Sequence, residues 1–314
     1  MTAMKTVPLG GKNLLQVTNF GLGTAPLANH KAVTEAEAVA TIQAAVENGI
    51  QLFDTAPLYG AGVGEERLGK ALQGIPRSSY KISTKIGRLI KDDRSGCSFD
   101  YSRDGVLRSL ESSLQRLNTD YVDILHIHDP DNHQREALET AFPALAELRS
   151  QGVIKAIGSG MNQWQMLEHF ARNADFDVFL LAGRYTLLEQ TSLDFLQLCQ
   201  AKGIGIFLGG VYNSGILASD LQAGAKYNYA DAPAPIMVKA RAIKALCDQY
   251  GVPLNVAALQ FARAHPAVTA LVVGAVSPAE VKTNLHSLGV AVPAALWQDL
   301  QVQGLIETDA PVPT

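Results

Sequence analysis

The sequence predicts a (β/α)8 (TIM) barrel, a single domain over residues 1–314, and three observations carry that expectation. Eight short apolar runs alternate with amphipathic stretches along the whole chain. Runs such as Ile204-Gly205-Ile206-Phe207-Leu208 and Ala270-Leu271-Val272-Val273 are apolar on both faces, as parallel strands covered by helices are. An open doubly wound sheet fits less well. Gly21-Leu22-Gly23-Thr24-Ala25-Pro26 does not satisfy G-x-G-x-x-G, and no helix follows it directly.

The elements follow in order. Residues 20–24 form a first short strand. A helix over 35–48 places Ala38, Val39, Ile42, Ala45 and Val46 on one face, with Thr34 as N-cap and Gly49 as its stop. Strand 50–53, helix 65–72 and strand 80–85 come next. Helix 102–117 carries Leu107, Leu110, Leu114 and Leu117 on one side, and strand 122–127 follows. Helix 135–150 has Pro143 as a local irregularity. Strand 153–157, helix 163–172, strand 178–181, helix 192–202 and strand 204–208 continue the alternation. Residues 209–235 are irregular and too long for an ordinary connection, which marks them as functional. Helices 236–250 and 256–265, strand 268–273 and helices 278–288 and 294–304 complete the chain.

Hydrophobic residues make up 47% and charged residues 18%, enough for a sizeable core and too few charges for wholesale disorder. A net charge of -4 with no basic stripe argues against nucleic acid or an anionic membrane as partner. Cys97, Cys199 and Cys247 lie far apart, so neither a disulfide frame nor a zinc site is expected, and a reducing cytoplasm is the simpler location. Residues 1–11 lack the apolar run of a signal peptide, and no stretch is apolar enough to span a bilayer. No long exposed apolar helix calls for an obligate assembly, so a monomer or weak homo-oligomer is expected.

Chemistry concentrates in Phe53-Asp54-Thr55-Ala56-Pro57-Leu58-Tyr59-Gly60. Asp54, Lys85 and His128 each end an apolar run, and Tyr59 lies just beyond Asp54. In a barrel those strand ends share one mouth, and neighbouring strands lie about 5 Å apart. A phenol titrates at about 10, too high for proton exchange at neutral pH. An ammonium beside it lowers that value, and Lys85 is placed to do so for Tyr59. Asp54 would pair with Lys85, and His128 would donate to a substrate oxygen. Such a set moves a proton at oxygen while hydride moves at carbon, which points to a nicotinamide cofactor and a small-molecule substrate rather than a metal.

Over nearly its whole length the chain resembles the aldo-keto reductase superfamily. Asp54-x4-Tyr59-Gly60, Thr84-Lys85 and the His128 strand end match its four catalytic positions in order. Within it the chain is most similar to the branch of L-fucose (D-threo-aldose) 1-dehydrogenases and pyridoxal 4-dehydrogenase. Leu58-Tyr59-Gly60-Ala61-Gly62, the segments 123–131 and 181–188, and Gly209-Gly210-Val211-Tyr212-Asn213-Ser214-Gly215-Ile216-Leu217 carry that likeness. The resemblance implies oxidation of the anomeric C1 hydroxyl of an aldose to a lactone, with Tyr59 as proton acceptor, or the equivalent oxidation of pyridoxal to 4-pyridoxolactone. A different class on the same barrel is a non-catalytic, NADP-sensing binding subunit like the potassium-channel β-subunits. An isomerase or aldolase with Lys85 as a Schiff base is a further alternative.

The resemblance also implies the cofactor site. Gly23, Thr24 and Asp54 belong to it at the first two strand ends. Ser-Asn after the fifth strand is replaced here by Ser159-Gly160-Met161-Asn162, which shifts the amide to Asn162. Ala182 stands where a Gln is common, and Gly209 where an aromatic often stacks on the nicotinamide. Gly209, Gly210, Val211, Tyr212, Asn213, Gly215 and Leu217 form the expected pyrophosphate loop, since glycines let backbone N–H groups approach phosphate. Gly274, Ser277, Glu280 and Asn284 form the adenosine end at a helix N-terminus. Relatives specific for NADP hold its 2′-phosphate with Lys or Arg there. Glu280 would repel that phosphate and accept from a ribose hydroxyl instead, so NAD is preferred, with Lys282 and Arg241 the cations that would admit NADP.

Substrate contacts are expected from Tyr59, His128, Asp129 and Arg184. The stretch around Asp129, Asp131 and His133 is expected as a solvated loop lining the pocket. Arg88 and Lys91 look like an ordinary charged loop, and Tyr227, Tyr229, Trp164 and Trp297 like packing residues. Of His126 and His128, one is expected inside the barrel and one outside.

Overall fold

The computed structural model describes residues 4–13, 15–29 and 31–313; the first three residues of the N-terminal stretch read above lie outside them. Eight parallel strands close into a barrel in chain order: Phe20–Gly23, Leu52–Asp54, Lys81–Ile86, Ile124–His128, Ala156–Met161, Val178–Ala182, Gly205–Gly209 and Val268–Gly274. The last strand pairs with the first, Leu271 opposite Phe20 and Gly274 opposite Gly23. The predicted (β/α)8 barrel is therefore the fold.

Side chains alternate across the strands, and the core divides accordingly. Leu52, Ile124, Ala156, Val178, Leu180, Phe207, Ala270 and Val272 fill the barrel interior. The intervening residues, among them Phe53, Leu125, Ile127, Phe179 and Leu181, pack outward against the helices. Burying side chains of this size contributes roughly 1.5–3 kcal/mol each, so both layers are needed. An antiparallel hairpin that the sequence reading missed, Thr6–Pro8 with Gln16–Thr18, adds Leu9 and Val17 to the interior layer and covers the N-terminal end of the barrel.

Local chemistry sets the helix ends. Helix Glu35–Glu47 starts with a capping box, Thr34 accepting from Glu37 N while Glu37 accepts from Thr34 N. Ser102 caps Arg103–Leu117 by accepting from Gly105 N. The stretch expected as one helix over 135–150 is broken. Gln134–Glu136 is α-helical, Ala137–Ala141 is a π-helical turn, and Phe142–Ser150 resumes the α-helix with Pro143 in its first turn. Proline has no N–H to donate and its ring crowds the preceding turn, so the ladder widens ahead of it.

The fifth strand differs most from expectation. It runs Ala156–Met161, not 153–157, because pairing with the fourth strand sets Ile124 opposite Ala156 and His128 opposite Gly160. Ser159 and Gly160 thus lie inside a strand. Residues 209–235 are not wholly irregular; they carry a 3-10 turn, Ile216–Ala218, and a small hairpin, Lys226–Tyr227 with Ala230–Asp231. A third hairpin, Arg88–Ile90 with Cys97–Phe99, follows the third strand. Among the described residues no helix is long and apolar enough to cross a membrane.

Candidate active site

Asp54 is the last residue of the second strand, and strand pairing puts it beside Ser83. Ser83 Oγ donates to Asp54 Oδ1 at 2.9 Å. Lys85, two residues along the same inward face, donates from Nζ to Asp54 Oδ2 and to Thr55 O, both at 2.7 Å. The side chains of Lys85 and Asp54 are only 1% and 3% exposed. Lys85 Nζ also lies 4.8 Å from the Tyr59 ring centroid. Two of the ammonium's three donors are used by Asp54 and Thr55.

Tyr59 is delivered by a tight loop. Tyr59 N donates to Ala56 O, Gly62 N to Pro57 O and Gly64 N to Tyr59 O. Gly60 has φ +60°, and a Cβ there would come within 2.4 Å of Ala28 O, so the loop closes over the first connection only with glycine. The Tyr59 ring meets His128 edge-on, centroids 6.0 Å apart.

The electrostatics follow from burial. Burial alone would lower the Lys85 pKa; Asp54 and then Tyr59 outweigh it and hold the ammonium above its ordinary value. A Schiff-base lysine needs the opposite shift. Burial raises the Asp54 carboxyl, with Lys85 and Ser83 pulling it back. Burial also pushes the Tyr59 phenol up, and Lys85 only partly offsets it. The expected lowering of Tyr59 is thus not the net result, because a phenolate enclosed by protein loses more hydration than one ammonium restores while Asp54 lies beneath it. His128 is held well below its usual value by burial, then by Lys85 and Arg88, so it is neutral and able to donate one hydrogen bond.

Both His126 and His128 face inward, since residues two apart on a strand share a face. The expectation that one points outward fails for that reason. His126 is fully buried below the mouth, and its ring lies against Gly158, where a Cβ would meet Nδ1 at 2.1 Å.

A cleft of about 890 Å3 runs from Asp54 and Tyr59 to Glu280 and Asn284. Of the residues expected around a cofactor, Gly23, Asp54, Asn162, Gly209, Gly210, Val211, Tyr212, Asn213, Gly215, Gly274, Glu280 and Asn284 line it. Thr24, Ser159, Gly160, Leu217 and Ser277 do not. Thr24 and Leu217 are fully buried. Ser159 donates its hydroxyl to Ile127 O at 3.0 Å on the outer face of the strand. Gly160 faces inward against the Lys85 stem. Ser277 caps helix Pro278–Ser287 by accepting from Glu280 N.

The lining fits a dinucleotide. Its volume suits a bound cofactor. Gly210, Asn213, Ser214 and Gly215 have positive φ, an arrangement that presents backbone N–H groups in a glycine-rich turn. Asn213 Oδ1 is buried with no partner, although its Nδ2 donates to Gly183 O at 3.2 Å, so an acceptor is left for a ligand hydroxyl or amide. Asn162 Nδ2 donates to Ala182 O at 2.8 Å. At the far end Tyr212 donates to Asn284 Oδ1, 2.8 Å, and Glu280 Oε2 accepts from Val276 N, 2.9 Å. Among the described residues lining this cleft there is no Lys or Arg. Arg241 instead donates to Leu221 O.

Other expectations change. Of the expected substrate contacts, Tyr59 lines the cleft, whereas His128, Asp129 and Arg184 do not; Arg184 donates to Asn228 Oδ1 at 2.8 Å and lies 3.6 Å from Glu189. Tyr229 is not a packing residue, being 80% exposed at the cleft rim with its N–H donating to Ser214 Oγ. Trp297 is buried as expected. Arg88 is no ordinary loop charge. It is 16% exposed, lies 3.2 Å from Asp129 Oδ2, and stacks 5.2 Å above the Phe99 ring. Asn228, Asn255 and Thr283 also line the cleft and carried no signal in the sequence. Ser83 could have been found, since it shares an inward face with Lys85.

A phenol over a buried ammonium, opening onto a dinucleotide-sized cleft, places the protein among barrel oxidoreductases that use a nicotinamide nucleotide. Residues 19–301 match the Aldo/keto reductase family, and the chain belongs to it. It is 40% identical to pyridoxal 4-dehydrogenase of Microbacterium luteolum, over 94% of this chain and 96% of that protein. It is 37% identical to D-threo-aldose 1-dehydrogenase of Pseudomonas sp, over 96% and 99%. The holo form of aldo-keto reductase AKR11C1 from Bacillus halodurans shares the fold, with TM-score 0.81 at 24% identity over 99% of this chain and 98% of that one.

Proposed function

We propose that the protein oxidises the C1 hydroxyl of an aldose ring to a lactone, with NAD as the preferred hydride acceptor and NADP as a second. The observation that supports this most is the position of Lys85, bonded to Asp54 and 4.8 Å from the Tyr59 ring centroid at the end of the cleft. The anomeric hydroxyl sits between Tyr59 and the neutral His128. Tyr59 as phenolate takes the O1 proton; C1 loses hydride with its electron pair, and C1–O1 becomes the carbonyl of the lactone. A nicotinamide nucleotide, when bound in the cleft, would supply the hydride acceptor. Lys85 steadies the phenolate, Asp54 keeps Lys85 charged and in place, and His128 donates to O1 and orients it. Gly23, Asn162, residues 209–215 and Asn284 line the cleft and would hold the cofactor, and Glu280 would select against a 2′-phosphate.

The identity to a pyridoxal 4-dehydrogenase favours a second reading, in which the hemiacetal of pyridoxal enters the same site and also leaves as a lactone. NADH formation measured over L-fucose, D-arabinose, L-galactose, L-glucose and pyridoxal separates the two. Tyr59→Phe is the control and is expected to lose about 10²–10⁴ of turnover while cofactor binding survives. Near-normal turnover in that variant removes Tyr59 as proton carrier.

A further inference from the structure

We infer that Arg88 and Asp129 together form a subsite for the hydroxyl next to the reacting carbon of a polyhydroxylated ring. This rests on the aldose reading above and names what makes the substrate an aldose.

Asp129 follows His128, and its backbone turns sharply to φ +36°, a left-handed position unusual for a residue with a side chain. The turn is fixed from several directions. Asp129 N donates to Gly160 O at 3.0 Å. Tyr101 OH donates to His128 O at 2.9 Å and reaches Asp129 O at 3.3 Å. Arg88 Nη2 donates to Asp129 O at 3.2 Å. As a result the Asp129 carboxylate swings back over the strand end, with Oδ2 3.5 Å from His128 Nε2. His128 Nδ1 is buried with no partner, which leaves Nε2 as the nitrogen a reacting oxygen would meet. The carboxylate also acts on the Tyr59 phenol and on the Lys85 ammonium through space.

Arg88 holds this carboxylate without closing it off. Its guanidinium contacts Asp129 Oδ2 at 3.2 Å and Asp131 at 3.6 Å, and it lies over Phe99. Its Nε is buried and has no partner. An accepting carboxylate beside a guanidinium is a fitting receiver for a hydroxyl, which both donates and accepts. In a pyranose or furanose whose O1 is on His128, the vicinal O2 is about one hydrogen-bond length from O1, within reach of a carboxylate oxygen 3.5 Å from His128 Nε2. Asp129 is then a substrate-binding residue, and Arg88 a positioning residue acting through it.

The test compares kcat/KM for L-fucose and 2-deoxy-L-fucose in the wild-type protein, in Asp129→Asn and in Arg88→Met. Asn tolerates the left-handed turn, and Met keeps the apolar stem over Phe99. The wild-type protein is expected to prefer L-fucose by about 10- to 100-fold, the size of a hydrogen bond to a charged group. In Asp129→Asn the ratio falls towards one, mainly through loss on L-fucose. In Arg88→Met the ratio falls likewise, through KM more than kcat. A merely structural role would lower both sugars together, and an unchanged ratio in both variants overturns the inference. Equal use of the two sugars by the wild-type protein overturns it as well, with the aldose reading intact. Turnover of neither sugar overturns the aldose reading, and the subsite with it.

Discussion

Lys85 Nζ lies 2.7 Å from Asp54 Oδ2, and both side chains are closed off from solvent. The pair is an arrangement whose value lies in geometry. Taking both charges out of water costs several kcal/mol per ion, and close contact repays this only while both partners stay. Removing one leaves the other buried and alone.

Lys85→Met should therefore cost both stability and turnover. The Asp54 carboxylate would lose its ammonium, and a loss of about 3–5 kcal/mol is expected. Chemical denaturation of the two proteins checks it. The Asp54→Asn, Lys85→Met double variant should recover part of that loss without recovering activity, because the phenol still lacks its ammonium.

The direction of the Tyr59 shift sets the pH dependence. Burial raises the phenol, with Lys85 opposing, so below pH 10 only a small fraction is phenolate. Oxidation needs the phenolate, so its rate should climb with pH through the neutral range, by up to about tenfold per unit. Reduction of a carbonyl needs the phenol and should be flat over the same range. Parallel profiles in the two directions would contradict the assignment.

Glu280 lines the end of the cleft away from Asp54, and among the described residues no Lys or Arg lines the cleft. Glu280→Arg should remove the repulsion of a 2′-phosphate and supply a partner for it. The ratio of kcat/KM for NAD over NADP is expected to fall by at least about tenfold, the equivalent of one charge-assisted hydrogen bond. A wild-type protein that prefers NADP would show the charge argument to be wrong.

Acid should destabilise the fold through its buried histidines. His126 is pushed down to about 3 and His265 to about 4 by burial, and His128 well below its usual value. These groups stay neutral when folded and bind protons when unfolded below about 6.5. The unfolded state then binds more protons, so stability is full above pH 6.5 and declines as pH falls towards the folded values. Asp54 and Asp129, both raised by burial, oppose this at the acid end. Melting temperature measured from pH 7 to 4 should fall, and less steeply in His265→Asn.

The barrel and the four converging residues were legible because both depend on short-range pattern. Apolar runs mark the strands, and Asp54, Lys85 and His128 end them. What the pattern did not carry was register and direction. Ser159 looked like a cofactor contact until pairing of Ile127 with Ser159 placed it within a strand, its hydroxyl bonded to Ile127 O. Arg88 looked like a loop charge because nothing in the sequence says that a hairpin folds it back onto Asp129. Tyr229 looked like core because its exposure depends on a turn at Asn228 and Tyr229, both at positive φ. The N-terminal hairpin is too short for its alternation to register.

The nestling of His126 against Gly158 ties two positions on adjacent strands together in one direction only. Trimming the imidazole would open a void beside Lys85, its partner across the third and fourth strands, and position 158 could not grow to refill it. Any side chain there would still strike the Val178 carbonyl oxygen, 2.8 Å from where its first carbon would sit. The floor beneath the reactive groups thus tolerates no redistribution of bulk between these neighbours, and drift at either site is restrained by a backbone atom belonging to a third strand.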